Sequence, residues 1–124
     1  MIIIDTSVLI ANLVSNDAFH TDAKKLMYEI ASSGQPQAIT YGTLLELSHG
    51  LNRLMGSEFA ARNVLIAFNS FEILFPDNIK SILNFYSEKN EILSYVDCEI
   101  ITIAKSMGAK VVSFDDNLMK TFRQ

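Results

Sequence analysis

The 124-residue chain is the size of one domain, and its 49% hydrophobic content is enough for a sizeable core. A formal net charge of −4 argues against wrapping duplex DNA through a broad basic surface, although bound cations can serve a small nucleic-acid site. There is one cysteine, Cys98, so no internal disulfide; no apolar run has the length of a membrane helix, and no basic segment precedes the apolar start, so we expect a soluble, cytoplasmic protein without a signal peptide.

Met1–Asp5 reads as a short, isoleucine-rich buried strand, and Thr6 or Ser7 as the cap of a helix over Val8–Val14. Ser15-Asn16-Asp17 breaks the chain before a second helix, Ala18–Ala31, with Leu26, Met27 and Ile30 on its apolar stripe. Gln37–Thr40 is a strand. Leu44, Leu47, Leu51 and Leu54 recur at helical spacing and predict a helix over Tyr41–Met55. Gly56-Ser57 interrupts it before a helix ending near Phe68; Phe71–Phe75 is a strand stopped by Pro76, and Asp77 is a cap for a helix through Tyr86. Ser94 with Asp97 forms a near capping box, Val96, Ile100, Ile103, Ala104 and Met107 make the apolar face, and Gly108 is the stop. Ala109–Phe114 is the last strand, followed by a turn at Asp115-Asp116-Asn117 and a short helix.

Strands separated by helical segments longer than a dozen residues predict an α/β fold: a mostly parallel central sheet with helices on both faces, a three-layer sandwich. Ligands in such folds bind outside the carboxyl ends of the strands. Asp5 and Asp115 sit at the ends of the first and last strands. Glu46, on an otherwise apolar stretch of its helix, and Asp97, in the first turn of its own, belong on the same side. Four carboxylates that converge repel unless a cation or protons join them. Oxygen-only ligation suits magnesium or manganese. Zinc is disfavoured, because Cys98, His20 and His49 lack ligand spacing. The implied chemistry is hydrolysis of a phosphodiester by a metal-activated water.

"IIIDTSVLIANL", "LLEL", and "SYVDCEIITIAKSMGAKVVSFDD", in that order, closely resemble the PIN-domain nucleases, nearest to the VapC-type toxins of toxin–antitoxin pairs. The likeness runs from Ile2 to about Leu118 and makes residues 1–124 one PIN-like domain. It implies a magnesium- or manganese-dependent ribonuclease with its acids at Asp5, Glu46, Asp97 and Asp115, supported by Thr6 and Ser7. "SFDDN" offers Asp115 and Asp116, and Asp115 fits the family spacing. The resemblance further implies a structured RNA substrate such as transfer RNA, a small antitoxin partner and a homodimer.

Each residue also has a plainer use: Asp5 as a helix cap, Glu46 as an exposed face residue, Asp97 as a capping-box acid, Asp115 as a turn residue. His49 and Arg53, successive turns beyond Glu46, are expected on a solvated helix face rather than against a phosphate. Lys24, Lys25, Lys120 and Arg123 are weak candidates to track RNA backbone, His20 is structural, and Cys98 is a small buried hydrophobe. A PIN-like module that grips RNA or protein without cutting is the alternative; it would be favoured by loss of Asp5, Glu46 or Asp97, and all three are present. A haloacid dehalogenase-type phosphatase would need an Asp where Ser7 stands. A receiver domain would need an acidic pair at the first strand tip.

Overall fold

The strands of this chain are three or four residues long, and their buried positions are apolar apart from Thr40, as expected where a parallel strand is covered on both faces. The computed structural model describes all residues, Met1–Gln124. Its elements run β1 (Ile2–Ile4), α1 (Thr6–Leu13), α2 (His20–Ser32), β2 (Gln37–Thr40), α3 (Tyr41–Met55), α4 (Ser57–Ser70), β3 (Glu72–Leu74), α5 (Ile79–Lys89), α6 (Tyr95–Met107), β4 (Lys110–Val112) and α7 (Asp116–Phe122). The sheet order is β3-β2-β1-β4, and every pairing is parallel, with Ile3 opposite Ala38 on one side and Val111 on the other.

Successive strand side chains point to opposite faces, which splits the core in two. Ile3, Ala38, Leu74 and Val111 pack with Ile82, Ile100, Ile101 and Leu118 from α5, α6 and α7. Ile2, Ile4 and Ile39 pack on the other face with Val8, Ile30, Leu47, Leu51 and Ala67 from α1 to α4. The expected three-layer α/β sandwich is therefore present. The chain steps from β1 to β2 to β3 in one direction and returns to place β4 on the far side of β1. The strand order thus reverses between β1 and β4, and a crevice opens beyond their carboxyl ends. The Asp5 N–H donates to the Val112 carbonyl at 3.0 Å, which joins the two strand ends.

Helix ends account for most departures from the predicted boundaries. Asp5, rather than Thr6 or Ser7, caps α1, so the helix starts at Thr6. The Asp17 carboxylate accepts from the Phe19 N–H at 2.8 Å, a local turn that delays α2 from Ala18 to His20. Asn78, not Asp77, caps α5, which continues to Lys89. Strands predicted over Met1–Asp5, Phe71–Phe75 and Ala109–Phe114 are shorter, because their terminal residues turn into loops and caps. Leu54 and Met107, predicted on buried stripes, are exposed because each lies in the last turn of its helix. The capping box of Ser94 and Asp97 is complete, and Gly108 ends α6 at φ 65°, a left-handed conformation that favours glycine.

Ile4 is fully buried in the core that supports the Asp5 end of β1. Ile4→Ala is expected to cost about 3 kcal/mol of stability, read from urea or guanidinium unfolding.

Candidate functional site

Four helices begin at the edge of the sheet where the strands end, and their N-terminal ends bring polar side chains there. Asp5 follows β1, Glu46 lies in the second turn of α3, Asp97 lies in the first turn of α6, and Asp115 precedes α7. All four line one cleft of about 450 Å³, together with Thr6, Ser7, Ile10, His49, Gly50, Arg53 and Ser94. Ile10 is its one hydrophobic lining residue.

Asp5 is buried, at 4% exposure, and its Oδ2 is held from two sides. Ser7 Oγ donates to it at 2.7 Å and Ser113 Oγ at 2.6 Å. Each hydroxyl in turn accepts a backbone N–H, Ser7 Oγ from Phe114 at 3.0 Å and Ser113 Oγ from Asp115 at 2.9 Å. A hydroxyl has one hydrogen to give, so both serines are committed to Asp5. Their own 3.3 Å approach is a consequence of sharing that oxygen.

The other three carboxylates follow the same division. Glu46 Oε1 accepts from Thr6 Oγ1 at 2.7 Å. Asp97 Oδ2 accepts from the Ser94 N–H at 2.9 Å. Asp115 Oδ1 accepts from the Leu118 N–H at 3.1 Å. Every acid spends one oxygen on its own chain. Asp5 Oδ1, Glu46 Oε2, Asp97 Oδ1 and Asp115 Oδ2 have no such partner, and no buried side-chain oxygen anywhere in the chain is left unpaired, so these four oxygens remain open to the cleft. The capping uses expected of Asp5 and Asp97 are therefore real, Asp115 caps α7 where a turn residue was expected, and each keeps a second oxygen over. Glu46 is half-buried against Thr6 rather than on a free face.

Burial pushes the Glu46 carboxyl above its ordinary value; Asp5, Asp97 and Glu99 push the same way, against the Thr6 hydroxyl. Burial likewise raises Asp97; Asp5 and Asp115 add to this, against the Ser94 bonds. No three Asp, Glu, His or Cys side chains stand close enough to form a finished cation shell; like charges in a half-buried cleft hold one another off. The open carboxylate atoms are all oxygens, the ligand type that suits a hard divalent cation.

Two residues essential to this geometry were not singled out in the sequence. Ser113 is one. Glu99, at 2% exposure, is the other: its Oε1 accepts from the Gly42 N–H at 2.9 Å, tying α6 to the N-terminus of α3. A Cβ on Gly42 would stand 2.7 Å from that oxygen, so the approach requires glycine. The positive end of the α3 dipole stabilises this buried charge. The signal available was an acid inside the apolar run "VDCEIITIA".

Other expectations sort cleanly. Asp116 is exposed and off the cleft, so Asp115 is the member of that pair that reaches it. His20 Nδ1 donates to the Ala11 carbonyl at 2.7 Å, a structural bond. Burial holds the Cys98 thiol up at about 11, so it is no nucleophile. Lys24, Lys25, Lys120 and Arg123 line no part of the cleft. His49 and Arg53 are exposed, but they stand on its wall rather than on a face without neighbours.

Carboxyls raised in the folded state bind protons that the unfolded chain has released. Their stabilising contribution is full below the ordinary carboxylate range and is lost as pH rises through the raised values. In EDTA, the melting temperature of the wild type should therefore fall as pH rises above the ordinary carboxylate range, and Glu46→Gln with Asp97→Asn should flatten that slope. Glu99→Ala should cost about 1–3 kcal/mol by leaving the Gly42 N–H without its acceptor, and Glu99→Gln, which keeps a carbonyl there, should cost less; chemical unfolding reads both.

The family model for the PIN domain matches residues 2–123. No curated protein matches the chain in sequence. Among solved structures, Mycobacterium tuberculosis VapC20, a sarcin–ricin loop cleaving toxin, is similar with a TM-score of 0.85 at 22% identity over 98% of this chain and 95% of that one. VapBC2 of Rickettsia felis, bound to a DNA fragment from its promoter, gives 0.68 at 17% identity over 98% and 92%. PAE2754 of Pyrobaculum aerophilum gives 0.63 at 22% identity over 94% and 81%. At these identities the structures establish the shared fold, and with a family match over nearly the whole length the chain belongs to the PIN domain family.

Proposed function

We propose that the chain is a magnesium- or manganese-dependent endoribonuclease, the toxin half of a VapC-like pair. One observation carries the reading: four carboxylates on four elements each keep one oxygen open in the same polar cleft. Asp5, Glu46 and Asp97 would hold the cation, and Asp115 would complete or tune the set. A bound magnesium or manganese supplies an activated water and neutralises charge at the phosphate and the leaving oxygen. Ser7, Ser113, Thr6 and Ser94 fix Asp5, Glu46 and Asp97, and the Leu118 N–H fixes Asp115, by occupying the opposite oxygens, so a ligand meets an ordered set of donors. The cleft is open and only one of its 11 lining residues is hydrophobic, which suits a charged polymer better than an apolar metabolite.

The substrate class is structured RNA. Transfer RNA follows from the family resemblance, and the sarcin–ricin loop named for the Mycobacterium toxin is the second RNA to assay. An antitoxin partner is in keeping with the Rickettsia VapBC2 assembly. A homodimer and residence in the cytoplasm complete the proposal; no helix of the chain is long and apolar enough to cross a membrane. The non-cutting module ranks second, because none of the four acids is missing.

The test is cleavage of transfer RNA and of ribosomal RNA by wild type and Asp97→Asn with manganese, magnesium or EDTA. Cleavage by wild type that needs metal and slows at least ~100-fold in the variant is expected. Equal cleavage by both proteins would overturn the site assignment. Manganese uptake by the wild type with no cleavage of either RNA would favour the binding module.

A further inference from the structure

The cleft gathers four carboxyl groups, and one divalent cation offsets at most two ionised ones. A phosphate approaching such a site is still repelled unless the protein supplies positive charge beside it. Two basic side chains line the cleft, His49 and Arg53. Neither is paired with a carboxylate: the one ion pair of the chain is Arg62 with Glu58 on α4. Both are exposed, and both stand on α3. Glu46, His49 and Arg53 are spaced three and four residues apart, so they form a ladder down one face of the helix. His49 and Arg53 are about one 5.4 Å turn apart, the scale on which phosphates recur along a nucleic-acid strand.

A second observation gives the ladder a direction. His49 also lines a neighbouring groove of about 320 Å³, with Ser48, Asn52, Ser57, Ala60 and Ala61 from α3 and α4. The acid cleft therefore adjoins, at His49, a groove that carries no acid. Arg53 lies in the last turn of α3, where a cation also favours the helix dipole. That use alone does not account for its place on the wall of an acidic cleft without a carboxylate partner.

Resting on the nuclease reading above, we propose that Arg53 and His49 grip the RNA strand at phosphates next to the scissile one, and that the strand leaves the cleft along the α3–α4 groove. Arg53 supplies the permanent charge, and its guanidinium fork suits two phosphate oxygens. His49 donates a hydrogen bond at the entrance of the groove. The asymmetry has a consequence: the side of the cleft formed by α6 and α7 offers acids and hydroxyls and no cation, so contacts to the strand are concentrated on the α3 side.

The experiment is binding of a labelled, mixed-sequence single-stranded RNA of about 20 nucleotides, by anisotropy with manganese at several potassium chloride concentrations. A gel run afterwards checks that the RNA is intact. Wild type is compared with Arg53→Ala, His49→Ala, the groove-filling Ala61→Phe, and Lys105→Ala as a charge-matched control on the last turn of α6. Arg53→Ala is expected to weaken binding about tenfold and lower the salt slope by about one phosphate contact. His49→Ala and Ala61→Phe should weaken it less but more than Lys105→Ala. Manganese uptake by calorimetry should match wild type in all four, and melting curves report any purely helix-stabilising role of Arg53. If wild type takes up manganese and cleaves RNA while Arg53→Ala binds RNA with unchanged affinity and slope, this inference falls and the nuclease reading stands. A wild type that neither binds nor cleaves RNA with manganese overturns both.

Discussion

The repulsion between Asp5 and its neighbouring carboxylates is the constraint around which the rest of this structure is arranged. A buried Asp at a strand tip is costly unless its charge is met by hydrogen bonds. Here two serine hydroxyls meet it, one from the start of α1 and one from the end of β4, and each is itself supplied by a backbone N–H. This small network fixes the β1 and β4 ends together at the place where strand order reverses. The same edge then receives the first turns of α3, α6 and α7, whose acids add like charge to the cleft. Burial is the main cause of the upward push on Glu46 and Asp97, and the neighbouring acids add to it.

Folding draws on only one oxygen of each of these carboxylates. Caps and hydroxyl bonds take one oxygen from each acid, and the other faces the cleft. This division explains how four residues that serve as helix caps or inter-element ties can also form a candidate site. Glu99 belongs to the first role alone. It is sealed from solvent, accepts from the start of α3, and holds the helix bearing Glu46 against the helix bearing Asp97. The stacked rings of Phe19 and Phe114, 4.9 Å apart, act in the same way on the segment leading to Asp115.

Much of this was legible in the residues. Apolar runs such as "MIII" in alternation with helical stripes specify a parallel sheet covered on both faces, and the rule about strand tips then gathers Asp5, Glu46, Asp97 and Asp115 at one edge. The boundaries were less legible, because caps compete at adjacent polar residues: Asp5 against Thr6 and Ser7, Asn78 against Asp77. Periodicity placed Leu54 and Met107 inside, whereas the last turns of their helices run out past the core. Ser113 and Glu99 were missed because their importance lies in partners 108 and 57 residues away in sequence, which no local pattern encodes. His49 and Arg53 read as a solvated face for the same reason: that α1, α6 and α7 close a cleft opposite them is a fact of tertiary packing.

The central claim is that the four open oxygens form one cation site. Manganese-soaked crystals, measured for anomalous scattering at the manganese edge, test it most directly. A peak within coordination distance of Asp5 Oδ1, with Glu46 Oε2 or Asp97 Oδ1 drawn onto it, is the expected result. Strong density for manganese elsewhere on the molecule, with these carboxylates unmoved and unbound, would contradict it.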